Sequence, residues 1–150
     1  MSPKPNTARE FLESYREACL ERRRCKWRIK QLEDQATSIT TSVRDMPGGG
    51  SSDPHKDHLL IAIADQQRKL NDLKLAAAAR QLEVEQFTEQ LEDPAHRIIL
   101  QLRYCDLLLW PEVNEALKKF GIYYSERHTH RLHDNAIEAA ELLWRKTHER

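Results

Sequence analysis

Two long stretches without proline or glycine lie on either side of a Met-Pro-Gly-Gly-Gly run at residues 46–50. In the first stretch a mostly apolar stripe recurs at alternating spacings of four and three residues: Phe11, Tyr15, Ala18, Arg22, Cys25, Ile29, Leu32, Ala36, Ile39 and Val43. The second stretch repeats the pattern: Leu59, Ile63, Gln66, Leu70, Leu73, Ala77, Arg80, Val84, Phe87 and Leu91. Because such spacing keeps a stripe on one helix face, each stretch is predicted to be a coiled-coil helix.

The two stripes are mirror images about residue 51. An antiparallel pairing about that point sets Leu32 opposite Leu70 and Cys25 opposite Ala77. We therefore predict an antiparallel helical hairpin over residues 7–92, with a flexible linker at 46–52. Two helices cover only one stripe each, so we expect a homo-oligomer, with a dimer favoured. A single hairpin with little self-association stays open as the alternative.

The pattern changes at Asp93, which precedes a proline and therefore fits a helix start. Three shorter apolar-patterned segments follow, at 94–104, 110–120 and 125–147. Gly121 is placed to end the second segment in the left-handed conformation, and Ser125 is placed to cap the third. The sequence thus predicts an all-α protein, in which the coiled-coil hairpin is followed by a three-helix domain at 93–150 with a helix-turn-helix.

Charge and cysteine content exclude several classes. Lys plus Arg (24) equals Asp plus Glu (24), so affinity for polyanions must come from a local patch. Cys19, Cys25 and Cys105 lack metal or disulfide spacing and predict free thiols in a cytoplasmic, reducing compartment. No apolar run has the length of a membrane span. Without a nucleophile elbow, a phosphate-binding loop or paired carboxylates, we expect neither an enzyme nor a cofactor.

The C-terminal segment HRIILQLRYCDLLLWPEVNEALKKFGIYYSERHTHRLHDNAIEAAELL resembles region 4 of bacterial sigma factors, the helix-turn-helix that reads the promoter −35 element. Over about residues 8–145 the chain is similar to a family of phage-encoded, sigma-region-4-like regulators with an N-terminal coiled coil. The runs ATSITTSVRDMPGGG, LEDPAHRIILQLRY and YSERHTHRLH carry this likeness. Several members activate late phage genes for lysis and packaging. The resemblance implies a phage or prophage transcription regulator in a bacterial host, with double-stranded DNA and host RNA polymerase as partners.

The third segment carries the residues expected to touch DNA. With Thr129, Leu132, Ala136 and Ile137 facing inward, four outward-facing residues match the base and phosphate contacts of region 4: Glu126, Arg127, His130 and Arg131. Together with Ser125 and His128 they form the predicted DNA-contacting set. Arginine can read guanine with two hydrogen bonds, and Glu126 can accept from cytosine. The alternative is an ordinary solvated helix face.

Three positions depart from the family pattern. Leu109 stands where a capping Ser or Thr is usual, Thr129 replaces a core Val or Ile, and Tyr123 with Tyr124 adds bulk to the turn. These departures put the seating of the third helix in question rather than the family resemblance.

Two further clusters have competing interpretations. His128, His130 and His133 suggest a metal site, but without a fourth ligand nearby we expect none. Exposed cations near Trp27 suggest a secondary phosphate contact or a partner-docking patch: Arg23, Arg24, Lys26 and Arg28. The alternative is a coiled-coil flank whose cations pair with acidic residues of the second helix.

Two other functions remain open from the sequence. A DNA-packaging protein like the small terminase subunit also joins a helix-turn-helix to an oligomerising coiled coil. A helical adaptor that binds only other proteins is compatible with the zero net charge. Ring-sized oligomers would favour the DNA-packaging protein, and the absence of DNA binding would favour the adaptor.

Overall fold

The computed structural model describes residues 4–44 and 54–149, and for 39–44 the backbone alone. Within these ranges the chain forms five α-helices and no strand, which confirms the predicted all-helical fold. The helices are α1 (Ala8–Arg44), α2 (Pro54–Thr88), α3 (Pro94–Tyr104), α4 (Trp110–Lys119) and α5 (Glu126–His148). The predicted linker at 46–52 and the side chains of Ile39 and Val43, two positions of the predicted stripe, lie outside the described residues.

Short polar side chains cap the starts of α1 and α3. The Glu10 amide donates to Thr7 Oγ1 over 3.1 Å, while the Glu10 carboxylate accepts from the Asn6 amide over 2.8 Å. Asp93 accepts from the Ala95 amide over 2.9 Å at the start of α3. These bonds satisfy amides that have no partner inside the helix.

By its internal contacts the chain divides into two units. The first comprises Met1–Ala18 and Ala78–Arg150, and the second comprises Cys19–Ala77. We call them the end unit and the middle unit. The end unit thus contains the first residues of α1 and the last residues of α2 together with α3, α4 and α5. The predicted domains 7–92 and 93–150 stay predictions.

In the middle unit, α1 and α2 contact each other in antiparallel order. Leu32 and Ala36 of α1 form a buried cluster with Leu59 of α2, and Cys25 Sγ lies 3.4 Å from the Gln66 carbonyl oxygen. The predicted stripe is the contacting face, but its register differs from the prediction. Leu32 lies with Leu59 rather than Leu70. Relative to the prediction, α2 is displaced by eleven residues along α1, which is close to three whole helical turns. The apolar stripes of the two helices still face each other after this displacement, so periodicity alone does not fix the register.

In the end unit, aromatic side chains far apart in sequence meet in one core. The rings of Phe11, Phe87 and Trp144 have centroids 5.2–5.9 Å apart. The Trp144 indole also donates to the Asn6 carbonyl over 3.2 Å. The Glu141 carboxylate accepts from the amides that open α1. Helix α5 is thereby held against the start of α1 and the end of α2.

Candidate nucleic-acid interface

The turn between α4 and α5 depends on Gly121. Its φ of +79° is in the left-handed region that favours glycine. The Gly121 amide donates to the Lys118 carbonyl, and the Ile122 amide donates to the Leu117 carbonyl, both over 3.0 Å. This is the Schellman arrangement, which satisfies the last carbonyls of a helix. The predicted role of Gly121 is confirmed.

Ser125 then begins α5. Its backbone is extended, with φ −66° and ψ 164°, and its hydroxyl accepts from the His128 amide over 3.2 Å. The predicted N-cap is therefore confirmed. Since the first amides of a helix point outward and carry partial positive charge, this end of α5 favours an anion.

The structure exposes all six side chains that were predicted to contact DNA. They occupy the cap and the first two turns of α5: Ser125, Glu126, Arg127, His128, His130 and Arg131. On the opposite side of the helix, Thr129 and Ala136 are buried and Leu132 and Ile137 are half-buried, as predicted. All six side chains are thus accessible, while the buried and half-buried positions hold the helix to its core.

The departures from the family pattern are accommodated locally. Thr129 is only 1% exposed, and its Oγ1 lies 3.0 Å from the Ser125 carbonyl oxygen. A second acceptor, Asn114 Oδ1, lies 3.4 Å away, so the hydroxyl is not buried without a partner. Leu109 offers no side-chain cap, but its amide donates to the Glu112 carboxylate over 3.3 Å.

The remaining departure leaves its side chains in solvent. Tyr123 is 75% exposed and Tyr124 is 44% exposed, so neither ring is forced into the core between α4 and α5. The extra bulk of the turn is carried on its surface.

Two of the exposed residues already have partners inside the protein. The His130 ring lies 4.2 Å from the Trp110 ring, and the His128 ring lies 5.8 Å from that of Tyr124. Across the described parts of the chain, Arg127 and Arg131 make no ion pair. The two guanidinium groups, four residues apart on one helix face, are therefore the donors most available to a ligand.

A stack at the start of α4 supports this surface, and the sequence did not reveal it. The Arg103 guanidinium carbon lies 4.6 Å from the centre of the Trp110 ring. Trp110 in turn contacts His130 and lies edge-on to His133, with ring centroids 4.9 Å apart. The stack joins α3, α4 and α5 just behind the exposed face. In the sequence, Arg103 is simply a basic residue near the end of a helix. Nothing in that position predicts its contact with an aromatic ring.

His133 belongs to the core rather than to a metal site. It is 5% exposed, and its Nε2 lies 2.7 Å from the Tyr104 hydroxyl. Asp134 Oδ1 lies 3.5 Å from Nδ1. Burial lowers the pKa of His133 below its usual 6.5, against a smaller raising effect from Asp134. No group of three or more His, Cys, Asp or Glu side chains able to hold a metal occurs among the described residues.

The three cysteines are free and buried. Desolvation, with smaller contributions from Glu85 and Asp106, raises the pKa of the Cys105 thiol to about 12. That thiol is therefore protonated at neutral pH and a poor nucleophile or metal ligand. The prediction of free thiols is confirmed, and Cys105 in particular fills the core.

The cationic patch on α1 lies in the middle unit and is solvent-exposed. None of Arg23, Arg24, Lys26 or Arg28 forms a salt bridge within residues 4–44 and 54–149. Arg28 makes one hydrogen bond, to Gln31 over 3.4 Å. Within these ranges the salt bridges to acidic residues of the second helix, which the alternative interpretation requires, are therefore absent.

Compared with protein-family models, with curated proteins and with solved structures, the chain finds no match. None of the helices in the described ranges is both long enough and apolar enough to cross a bilayer.

Proposed function

We propose that the chain is a sequence-specific DNA-binding regulator of phage or prophage transcription, in which α4 and α5 act as a helix-turn-helix. The observation that carries this proposal is the surface at the start of α5. A glycine-ended helix, a tight turn and a serine-capped helix support an exposed pair of arginines, Arg127 and Arg131, on the first two turns. In helix-turn-helix proteins, these turns of the second helix contact base edges in the major groove.

The chemistry of that surface suits DNA. Arg127 can donate two hydrogen bonds to the O6 and N7 atoms of guanine, and Glu126 can accept from the amino group of cytosine. Arg131, one turn further along, can reach the next base or a phosphate. The exposed amides at the start of α5 favour a phosphate oxygen as well. With zero net charge, most of the affinity has to come from this local face.

We further propose that α1 and α2 form one antiparallel hairpin that brings two copies together, and that the protein acts in the bacterial cytoplasm. The antiparallel contacts of Leu32 with Leu59 and of Cys25 with Gln66 support the hairpin. A dimer places two recognition helices on one DNA site, which must then contain two half-sites at a fixed spacing. Host RNA polymerase is the partner that promoter binding of this kind requires.

Selection of bound sequences from a random duplex library, using purified full-length protein, tests the proposal. We expect enrichment of one motif with two related halves, and a dimer by sedimentation. If no motif is enriched while circular dichroism shows an intact fold, the proposal of a DNA-binding regulator is wrong. A protein-binding adaptor is then the remaining function. Ring-sized oligomers that bind a packaging site would replace it with a DNA-packaging function.

A further inference from the structure

A second surface lies on α1 within the middle unit, on the side away from α2. Leu20 and Trp27 are 53% and 61% exposed. They are seven residues apart, so they lie almost in line along the helix. Cys25, Ile29 and Leu32, which are buried, occupy the opposite side. Two large apolar side chains exposed side by side along a helix form a candidate surface for contact with another protein.

Cations flank the Trp27 end of this apolar line, while Glu17 lies beside Leu20. Six of the nine residues from Arg22 to Lys30 are Lys or Arg, and none is acidic. At 100° per residue, Arg23, Arg24 and Lys30 lie within about 60° of Trp27 around the helix axis. No ion pair neutralises the exposed cations of this segment in the ranges 4–44 and 54–149. We define the α1 face as Leu20, Arg23, Arg24, Trp27 and Lys30. It combines two exposed apolar side chains with three cations that form no ion pair within the described ranges.

We propose that the α1 face docks an acidic amphipathic helix of a partner protein, a helix with large apolar residues on one side and Asp or Glu at its edges. The Leu20–Trp27 line covers the apolar stripe, and the flanking guanidinium and ammonium groups pair with the carboxylates. This interaction is independent of α5 and goes beyond DNA binding.

Nucleic acid fits the same face less well. Phosphates would pair with the cations, but the backbone of a duplex offers no apolar surface to cover Leu20 and Trp27. A single strand could stack one base on Trp27, which would leave Leu20 uncovered. Only a partner with apolar and acidic groups side by side contacts every member of the α1 face.

A synthetic three-heptad helical peptide, with Leu at the seam and Glu at the flanking positions, provides the probe. Its fluorescently labelled form is titrated with the full-length protein, and anisotropy gives the affinity. Trp27 is the only tryptophan of the three that is mostly exposed. A blue shift and reduced acrylamide quenching of its emission therefore report contact at this site. The same peptide with Lys in place of Glu, a single-stranded oligonucleotide and a duplex are the comparison ligands.

We expect saturable binding of the acidic peptide in the micromolar range, and no measurable binding of the Lys peptide. Trp27→Ala and the double variant Arg23→Glu/Arg24→Glu should each weaken binding about tenfold or more, as truncation of a central aromatic or arginine anchor does. Lys69→Glu, at an exposed cation on α2 of the same unit, should change it less than twofold. Arg131→Ala should leave it unchanged.

Each of three binding results would overturn the proposal: no saturable binding of the acidic peptide, binding of that peptide by Trp27→Ala as tight as by the wild type, or tighter binding of either nucleic acid that depends on Trp27. Self-association lost in Trp27→Ala would also overturn it, because a second copy would then be the occupant. All substituted side chains are exposed, so melting curves should match the wild type and separate lost contact from lost fold.

Discussion

The end unit and the middle unit bury their apolar residues in different ways. In the middle unit, two helices cover one narrow stripe, and the outer faces of both remain in solvent. In the end unit, parts of all five helices contribute, and Leu12, Leu117 and Trp144 are nearly or fully buried. Stability in the first depends on a repeating pattern, whereas in the second it depends on individual contacts between residues distant in sequence. The candidate DNA-contacting helix belongs to the second kind.

Two tryptophans test this contrast most strongly. Trp144 is 8% exposed and contacts Phe11 and Phe87, so Trp144→Ala should destabilise the protein by about 3–5 kcal/mol. The matched variant Trp27→Ala removes the same group from an exposed site of the middle unit and should cost less than about 1 kcal/mol. Urea unfolding followed by circular dichroism measures both. Equal losses would contradict the difference between the units.

The register of the middle unit can be tested by a double-mutant cycle. Leu32→Ala should cost about 2–3 kcal/mol, because the side chain is buried against Leu59. Leu32→Ala and Leu59→Ala should show a coupling energy of about 0.5 kcal/mol or more, since the two residues are in contact. The pair Leu32→Ala and Leu70→Ala, which the mirror-image pattern would couple, should be additive. Coupling to Leu70 instead would restore the register predicted from the sequence.

Gly121 gives a smaller effect, confined to the turn before α5. No heavy atom lies within 4 Å of a Cβ placed there, so Gly121→Ala would meet no clash and would pay only for its φ of +79°. We expect a loss of about 1–2 kcal/mol in the free energy of unfolding, and a smaller loss for Gly121→Asn. Lys119→Ala, at an exposed position of α4, is the control. A neutral Gly121→Ala would contradict the strained left-handed turn.

The smallest expected change concerns pH. Burial lowers the pKa of His133 in the folded protein below the 6.5 of the unfolded chain. The unfolded chain therefore binds the proton first, so the stabilisation from neutral His133 is present above pH 6.5 and is lost as the pH falls below it. The difference in melting temperature between wild type and His133→Gln should shrink from pH 7.5 to pH 5. A constant difference between wild type and His133→Gln across this pH range would refute the assignment.

Local signals in the sequence predicted much of this structure. Gly121 and Ser125 act through their own backbone and immediate neighbours, so the end of α4 and the start of α5 could be located. Heptad spacing similarly predicted which faces of α1 and α2 are buried. These features depend on interactions within a few residues, or on a period that the helix itself imposes.

Other features depend on contacts that a local pattern does not encode. The slide of Leu32 from Leu70 to Leu59 preserves the period, so the sequence could not exclude it. The contact of Phe11 and Phe87 with Trp144 joins residues more than fifty positions apart, and each one alone fits an ordinary apolar position. His130 and His133 lie three residues apart and both contact Trp110, yet only His133 is buried, and the metal hypothesis grouped the two together. The hydrogen-bond partner of His133, Tyr104, lies on α3, and no local pattern pairs the two residues.

The proposed reading of DNA by Arg127 at the start of α5 is tested by measuring the DNA affinity of Arg127→Ala. The ligands are the motif enriched by selection and a scrambled duplex, each at two salt concentrations, with Arg145→Ala as the exposed control near the other end of α5. For Arg127→Ala we expect a loss of about 1–3 kcal/mol in binding free energy on the motif and little loss on the scrambled duplex, and for Arg145→Ala no change. Wild-type affinity and sequence preference in Arg127→Ala, with an unchanged melting curve, would contradict it.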